Sequence, residues 1–115
     1  MQPNRQHLVF LELLVTTHFQ QRRKLLDTLS KSQATFLSSV LHNILKSNIV
    51  LTSEHREKLL KHASLIRKLA KKSTPLGVKR ELYRKHYKLA LSIFKPLLDQ
   101  LKAKFCNGEW NVANC

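Results

Sequence analysis

"RKLAKKSTPLGVKRELYRKHYK", Arg67 to Lys88, packs nine Lys/Arg and one acid, Glu81, into twenty-two positions. Its apolar residues recur at helical spacing, so the run divides into a helix end, a turn and a new helix. Thr74-Pro75 supplies the punctuation: an N-cap candidate, then a ring whose fixed φ suits a first helical residue. A run this charged cannot face a core on every side, so its cations emerge along one face of each helix. It is a solvated surface, a nuclear-targeting signal, or a footprint for phosphate.

The same periodicity extends in both directions. Toward the N-terminus, Arg5 to Thr16 reads as a helix with Leu8, Leu11, Leu14 and Val15 inward. Phe19 to Leu29 follows with Phe19, Leu25, Leu26 and Leu29. Ser32 is a candidate N-cap for a third helix, Gln33 to Ser47, where Phe36, Leu37, Val40, Leu41, Ile44 and Leu45 repeat. Ile49, Val50 and Leu51 read as a core plug in a short connection. Thr52 or Ser53 caps a fourth helix, Glu54 to Lys72, whose apolar face is Leu59, Leu60, Ala63, Ile66, Leu69 and Ala70. The fifth, Pro75 to Lys95, turns Leu82, His86, Leu89, Ala90 and Ile93 inward until Pro96 ends or kinks it. A last segment runs from Leu97 to Phe105.

With two Gly and three Pro in 115 residues, the composition favours helices over hairpins. The expected fold class is all-α, a compact single-domain bundle of five to six short helices. Residues 1–105 form the domain, with a basic helical hairpin at 53–95, and 106–115 form a tail. Cys106 and Cys115 are too few for a disulfide framework and lack metal-ligand spacing. Glu12 interrupts the apolar stretch near the N-terminus, and no apolar run approaches the roughly twenty residues of a bilayer span. A soluble, unprocessed, intracellular chain is expected.

Twenty-one Lys/Arg against seven Asp/Glu leave a net charge of +14, beyond what solubility requires. A polyanion is the expected neutralising partner, nucleic acid first and an anionic membrane second. Between Glu54 and Lys88, twelve cations face three acids. Lys58, Lys61, Lys68 and Lys72 fall on one face of the fourth helix, flanked by Arg67 and Lys71. Lys79 and Arg80 open the fifth, with Arg80, Arg84 and Lys88 at i, i+4 and i+8 and Lys85 beside them. These eleven residues are the expected nucleic-acid site. Only Glu54–Lys58, Glu57–Lys61 and Glu81–Lys85 are spaced for helical ion pairs. Lys71-Lys72 with Lys79-Arg80 also matches a bipartite nuclear signal.

Base reading has little support, since Lys and Arg in this pattern meet phosphate without carrying sequence information. Tyr83 and Tyr87 fit half-buried core-edge positions better than stacking platforms. His7, His18 and His42 are expected at core edges, and His55, His62 and His86 on the basic surface. No paired carboxylates, metal-ligand set, Gly-rich phosphate loop or nucleophile motif is present. Neither an enzyme nor a bound cofactor or metal is expected.

Several stretches together resemble one group. They are "KLL.TLSK.Q" at Lys24–Gln33, "L.NIL..NI.L" at Leu41–Leu51, "KLLKH..L.RKLA" at Lys58–Ala70 and "KR.L" at Lys79–Leu82. In that order they resemble the small basic core-type protein of adintoviruses and Polinton/Maverick elements, a group itself compared with the adenovirus core peptide. The resemblance covers about Arg22 to Leu98. It implies a protein of virion and host nucleus that packages or condenses double-stranded DNA. It carries over Arg67, Lys68, Lys71, Lys72, Lys79 and Arg80. The departure is C-terminal, where "HYKLALSIFKPLLDQLKAKF" stands in place of the Gly-Gly and hydrophobic tail of the group.

The expected function is therefore non-enzymatic, largely sequence-independent binding of double-stranded DNA through two cationic ridges. Two alternatives stand beside it. One is a capsid-associated or membrane-active protein, using the alternation of apolar residues and lysines from Leu89 to Phe105. The other is a helical protein-interaction module, which would make capsid proteins or a second copy the partner.

Overall fold

A computed structural model describes residues 5–46, 52–100 and 103. Among them the chain forms seven α-helices and no strand: α1 (Arg5–Thr16), α2 (Phe19–Asp27), α3 (Lys31–Leu45), α4 (Ser53–Lys61), α5 (Ala63–Ala70), α6 (Leu76–Lys85) and α7 (Tyr87–Phe94). A 3₁₀ turn at Lys95–Leu97 carries Pro96, as expected for a residue that cannot donate to a helical ladder.

The all-α class holds, but the helix count is seven rather than five to six, because two long helices each break at a histidine. His62 has φ −114° and ψ 24°, and His86 has φ −118° and ψ 33°, near the sparsely allowed bridge region. The ladder restarts at once: Ile66 N–H donates to the His62 carbonyl at 3.1 Å, and Ala90 N–H to the His86 carbonyl at 2.9 Å. Each break is therefore a bend within a helical path. Neither site has a Pro or Gly to announce it.

Capping fixes the other boundaries. Ser30, not the expected Ser32, begins α3: its hydroxyl accepts from Gln33 N–H at 3.0 Å, and the Gln33 side chain accepts from Ser30 N–H at 2.9 Å. This reciprocal box satisfies two otherwise orphan donors. Ser32 bonds instead to His7 Nε2 at 2.9 Å. Thr52 caps α4 as expected, accepting from His55 N–H. Pro75 is extended (φ −60°, ψ 150°) and is the N-cap of α6, one position later than the expected Thr74. Thr74 donates its hydroxyl to the Lys68 carbonyl at 2.7 Å and so ties the turn to α5.

α3 lies at the centre of the packing. It meets α1, α5 and α6, while α2 packs on α1 and α6, and α7 packs on α1. Leu11, Leu26, Leu37, Ile66 and Phe94 are fully enclosed. Enclosing a side chain of this kind contributes roughly 1.5–3 kcal/mol. The Cα radius of gyration is 13.3 Å, close to the roughly 13 Å of a compact chain near this length. The two basic segments, expected to pack as a hairpin, meet chiefly through α3. α5 lies on α3, whereas α6 lies on α2 and α3.

Three residues expected in the core are exposed: Leu60 (70%), Phe19 (48%) and Leu45 (38%). Along α6 and α7 the inward stripe is Lys79, Tyr83, Ala90, Phe94 and Leu97; of the expected set, Ala90 and Ile93 are buried and Leu82, His86 and Leu89 are not. Steps of four, seven, four and three residues keep that observed set on one helical face. His86 is exposed and Leu82 half-buried. His7 is buried and stacks on Phe36 with centroids 4.9 Å apart. His55, expected on the surface, is buried, and His42, expected at a core edge, is exposed. The expected core plug Ile49–Val50–Leu51, the end of the last segment and the 106–115 tail lie outside the described residues.

Candidate nucleic-acid interface

Nine of the eleven expected phosphate-binding residues are solvent-exposed: Lys58, Lys61, Arg67, Lys68, Lys71, Lys72, Arg84, Lys85 and Lys88. Lys58 and Lys61 project from α4, and Arg67 and Lys68 from α5. Lys71 and Lys72 lie in the connection beyond it. Arg84 and Lys85 belong to α6, and Lys88 to α7. The bends at His62 and His86 thus divide each expected ridge in two. Of the three helical ion pairs the spacing allows, Lys85 with Glu81 is formed, at 3.4 Å with both side chains more than half exposed. Such a pair contributes little. Most of the positive charge on these helices therefore remains uncompensated by nearby carboxylates among the described residues.

Lys79 and Arg80 correct the expectation that both reach outward. Lys79 heads the inward stripe and is 5% exposed. Its ammonium donates to Ser38 Oγ at 2.6 Å, and that hydroxyl donates to the Leu69 carbonyl at 2.8 Å. Burial holds the Lys79 ammonium below its ordinary pKa. Arg80 is half-buried and gives two N–H groups to the Leu29 carbonyl, just past the end of α2. Arg22 does the same for α1, with Nε on the Leu14 carbonyl at 3.0 Å and Nη2 on those of Val15 and Thr17. The last carbonyls of a helix lack internal partners and sit at its negative end, where a cation is favoured. Two cations, Arg22 and Arg80, are thus engaged in closing helix ends, and a third, Lys79, is engaged with a buried hydroxyl.

Between α3 and α5 lies a cavity of about 1040 Å³. It gathers four of the expected site residues, Arg67, Lys71, Lys72 and Lys79. Its opposite wall on α3 is Leu45 with four polar residues, Thr35, Ser38, Ser39 and His42, none singled out by charge. These four are spaced i, i+3, i+4 and i+7, which places them on one face. The signal was a polar stripe inside an otherwise apolar helix.

Tyr83 is fully buried, so its ring offers no stacking face to a base, while Tyr87 is half-buried. Burial pushes the Tyr83 phenol well above its ordinary pKa. His55 Nε2 and Tyr83 Oη are enclosed without a hydrogen-bond partner. Burial lowers the pKa of His55, aided by the charge of Lys58, and burial alone lowers that of His7. Among the described residues no cluster of His, Cys, Asp or Glu could hold a metal ion, and no helix is long and apolar enough to cross a membrane. No protein family, curated protein or solved structure matches the chain.

Proposed function

We propose that the protein binds double-stranded DNA without catalysis and largely without sequence choice, condensing it in the core of a virus or virus-like transposon. The observation that carries this reading is the set of nine exposed cations from Lys58 to Lys88, with a single ion pair formed among the described residues. Lys and Arg in this density bind phosphate by releasing condensed counterions, a mechanism indifferent to base identity. The resemblance at Lys24–Ala70 and Lys79–Leu82 supplies the viral context, and with it virion and nucleus. Lys79 and Arg80 leave the duplex-binding set because their charged groups are turned into the fold.

The membrane-active alternative draws no support from the C-terminal helix. Ala90, Leu91, Ile93, Phe94, Leu97 and Leu98 face the core, so within Leu89–Leu98 the apolar side it needs is already covered. The test of DNA binding is charge reversal at Lys68, Lys71, Lys72 and Arg84 with two duplexes of unrelated sequence. Affinity should fall on both alike. Unchanged binding at low salt would overturn the proposal.

A further inference from the structure

The cavity between α3 and α5 has walls unlike those of a passive crevice. Four cationic side chains line it and no carboxylate does. One of them, Lys79, is 5% exposed, and its hydrogen-bond partner is the neutral hydroxyl of Ser38. No described acid pairs with it. A buried ammonium held by a hydroxyl alone keeps much of its desolvation cost, and an anion beside it would offset that cost. The facing α3 stripe adds the hydroxyls of Thr35 and Ser39 and the ring of His42. Hydroxyl groups and cations together are what phosphate oxygens require.

From this we infer that the α3–α5 cavity is a binding site for a small polyphosphate, a ligand carrying several phosphate groups close together. A space of about 1040 Å³ leaves room for a ligand larger than a single phosphate. Four cations converging on one space also match a ligand of multiple negative charge. A duplex groove follows the outside of a protein, whereas Lys79 is reached from inside this cavity. The site shares Arg67, Lys71 and Lys72 with the outer cations, whereas buried Lys79 belongs to the cavity alone.

The test is isothermal titration of the full chain with sodium tripolyphosphate at near-physiological salt, run beside duplex binding by fluorescence anisotropy. The expected result is saturation at one tripolyphosphate per chain, with inorganic phosphate weaker by about tenfold or more. Lys79→Met should lower tripolyphosphate affinity by about tenfold or more while leaving duplex affinity within about twofold. Should Lys79→Met fail to fold, the surface pair Arg67→Gln with Lys71→Gln reports on the same site. The distant triple change Lys58→Glu, Lys61→Glu and Lys88→Glu should do the reverse, weakening duplex binding and sparing tripolyphosphate.

Vesicles bearing phosphatidylinositol bisphosphate identify the source. Lys79-dependent binding to them as well assigns a lipid headgroup, and binding to the salt alone assigns a free polyphosphate. Tripolyphosphate binding that is unsaturable, equally sensitive to the distant triple change, or indifferent to Lys79 and to the Arg67/Lys71 pair overturns the inference. Loss of duplex binding in the unaltered protein, with Lys79-dependent tripolyphosphate binding intact, overturns the DNA reading alone.

Discussion

The Lys79 ammonium lies 2.6 Å from Ser38 Oγ, joining α6 to α3 across forty-one positions of chain. The same hydroxyl donates to the Leu69 carbonyl near the C-terminal end of α5. One serine thus links three helices and seats a buried cation. Ser38→Ala removes the acceptor and leaves the ammonium enclosed, at a cost of about 1–3 kcal/mol in urea unfolding. Adding Lys79→Met should recover most of that loss, since replacing a buried charge by an apolar group is often neutral or better. Full additivity of the two changes would contradict the link.

Lys79 also has a pH signature. Its pKa is lowered by burial from 10.5, so above neutrality the folded protein releases this proton before the unfolded chain does. Its contribution to stability therefore improves as pH climbs through the window below 10.5 and levels off above it. The difference in unfolding free energy between the unaltered protein and Lys79→Met should narrow or reverse in favour of Lys79 over that window. A constant difference would argue against a buried ammonium.

Arg80 and Arg84 sit one helical turn apart and should behave oppositely. Arg80→Ala frees the Leu29 carbonyl and should cost about 1.5–3 kcal/mol of stability, as for other hydrogen bonds to charged groups. Duplex affinity should change far less than with Arg84→Ala. Arg84 is exposed, so Arg84→Ala should leave the unfolding midpoint nearly unmoved and weaken duplex binding. Equal effects of the two on both measurements would remove the distinction between structural and free cations.

Acid should destabilise the fold through His7 and His55. Both have pKa values lowered from 6.5, so the unfolded chain takes up protons first as pH falls. Stability is complete above 6.5 and is lost as pH drops through the window beneath it. The urea midpoint should fall between about pH 7 and about pH 5, and His7→Phe with His55→Leu should flatten that fall. A variant with the unaltered slope would place the acid response elsewhere.

The first helix was legible through its end at Thr16, because Leu8, Leu11, Leu14 and Val15 recur at helical spacing and Thr17-His18 breaks it. The α3 face was equally clear from Phe36, Leu37, Val40, Leu41 and Ile44. The bends at His62 and His86 were hidden because apolar periodicity runs through them and no Pro or Gly marks them. The inward stripe of α6 was displaced because its leading members are a lysine and a tyrosine, while the leucines beside them carry the stronger apolar signal. Lys79 and Arg80 looked like surface charge for a related reason. Their partners are a serine and a carbonyl in distant sequence, and side-chain to backbone contacts leave no spacing pattern. The exposed cations were legible as a density, and the cavity they share with Thr35, Ser38, Ser39 and His42 appears only when α3 meets α5.

The most direct test of the central claim is the salt dependence of duplex affinity for the unaltered protein on two unrelated sequences. With about six of the nine exposed cations engaged, affinity should drop about a thousandfold between about 50 and about 200 mM salt, with equal slopes on both duplexes. A flat salt response, or strong preference for one sequence, would contradict a grip on phosphate that ignores the bases.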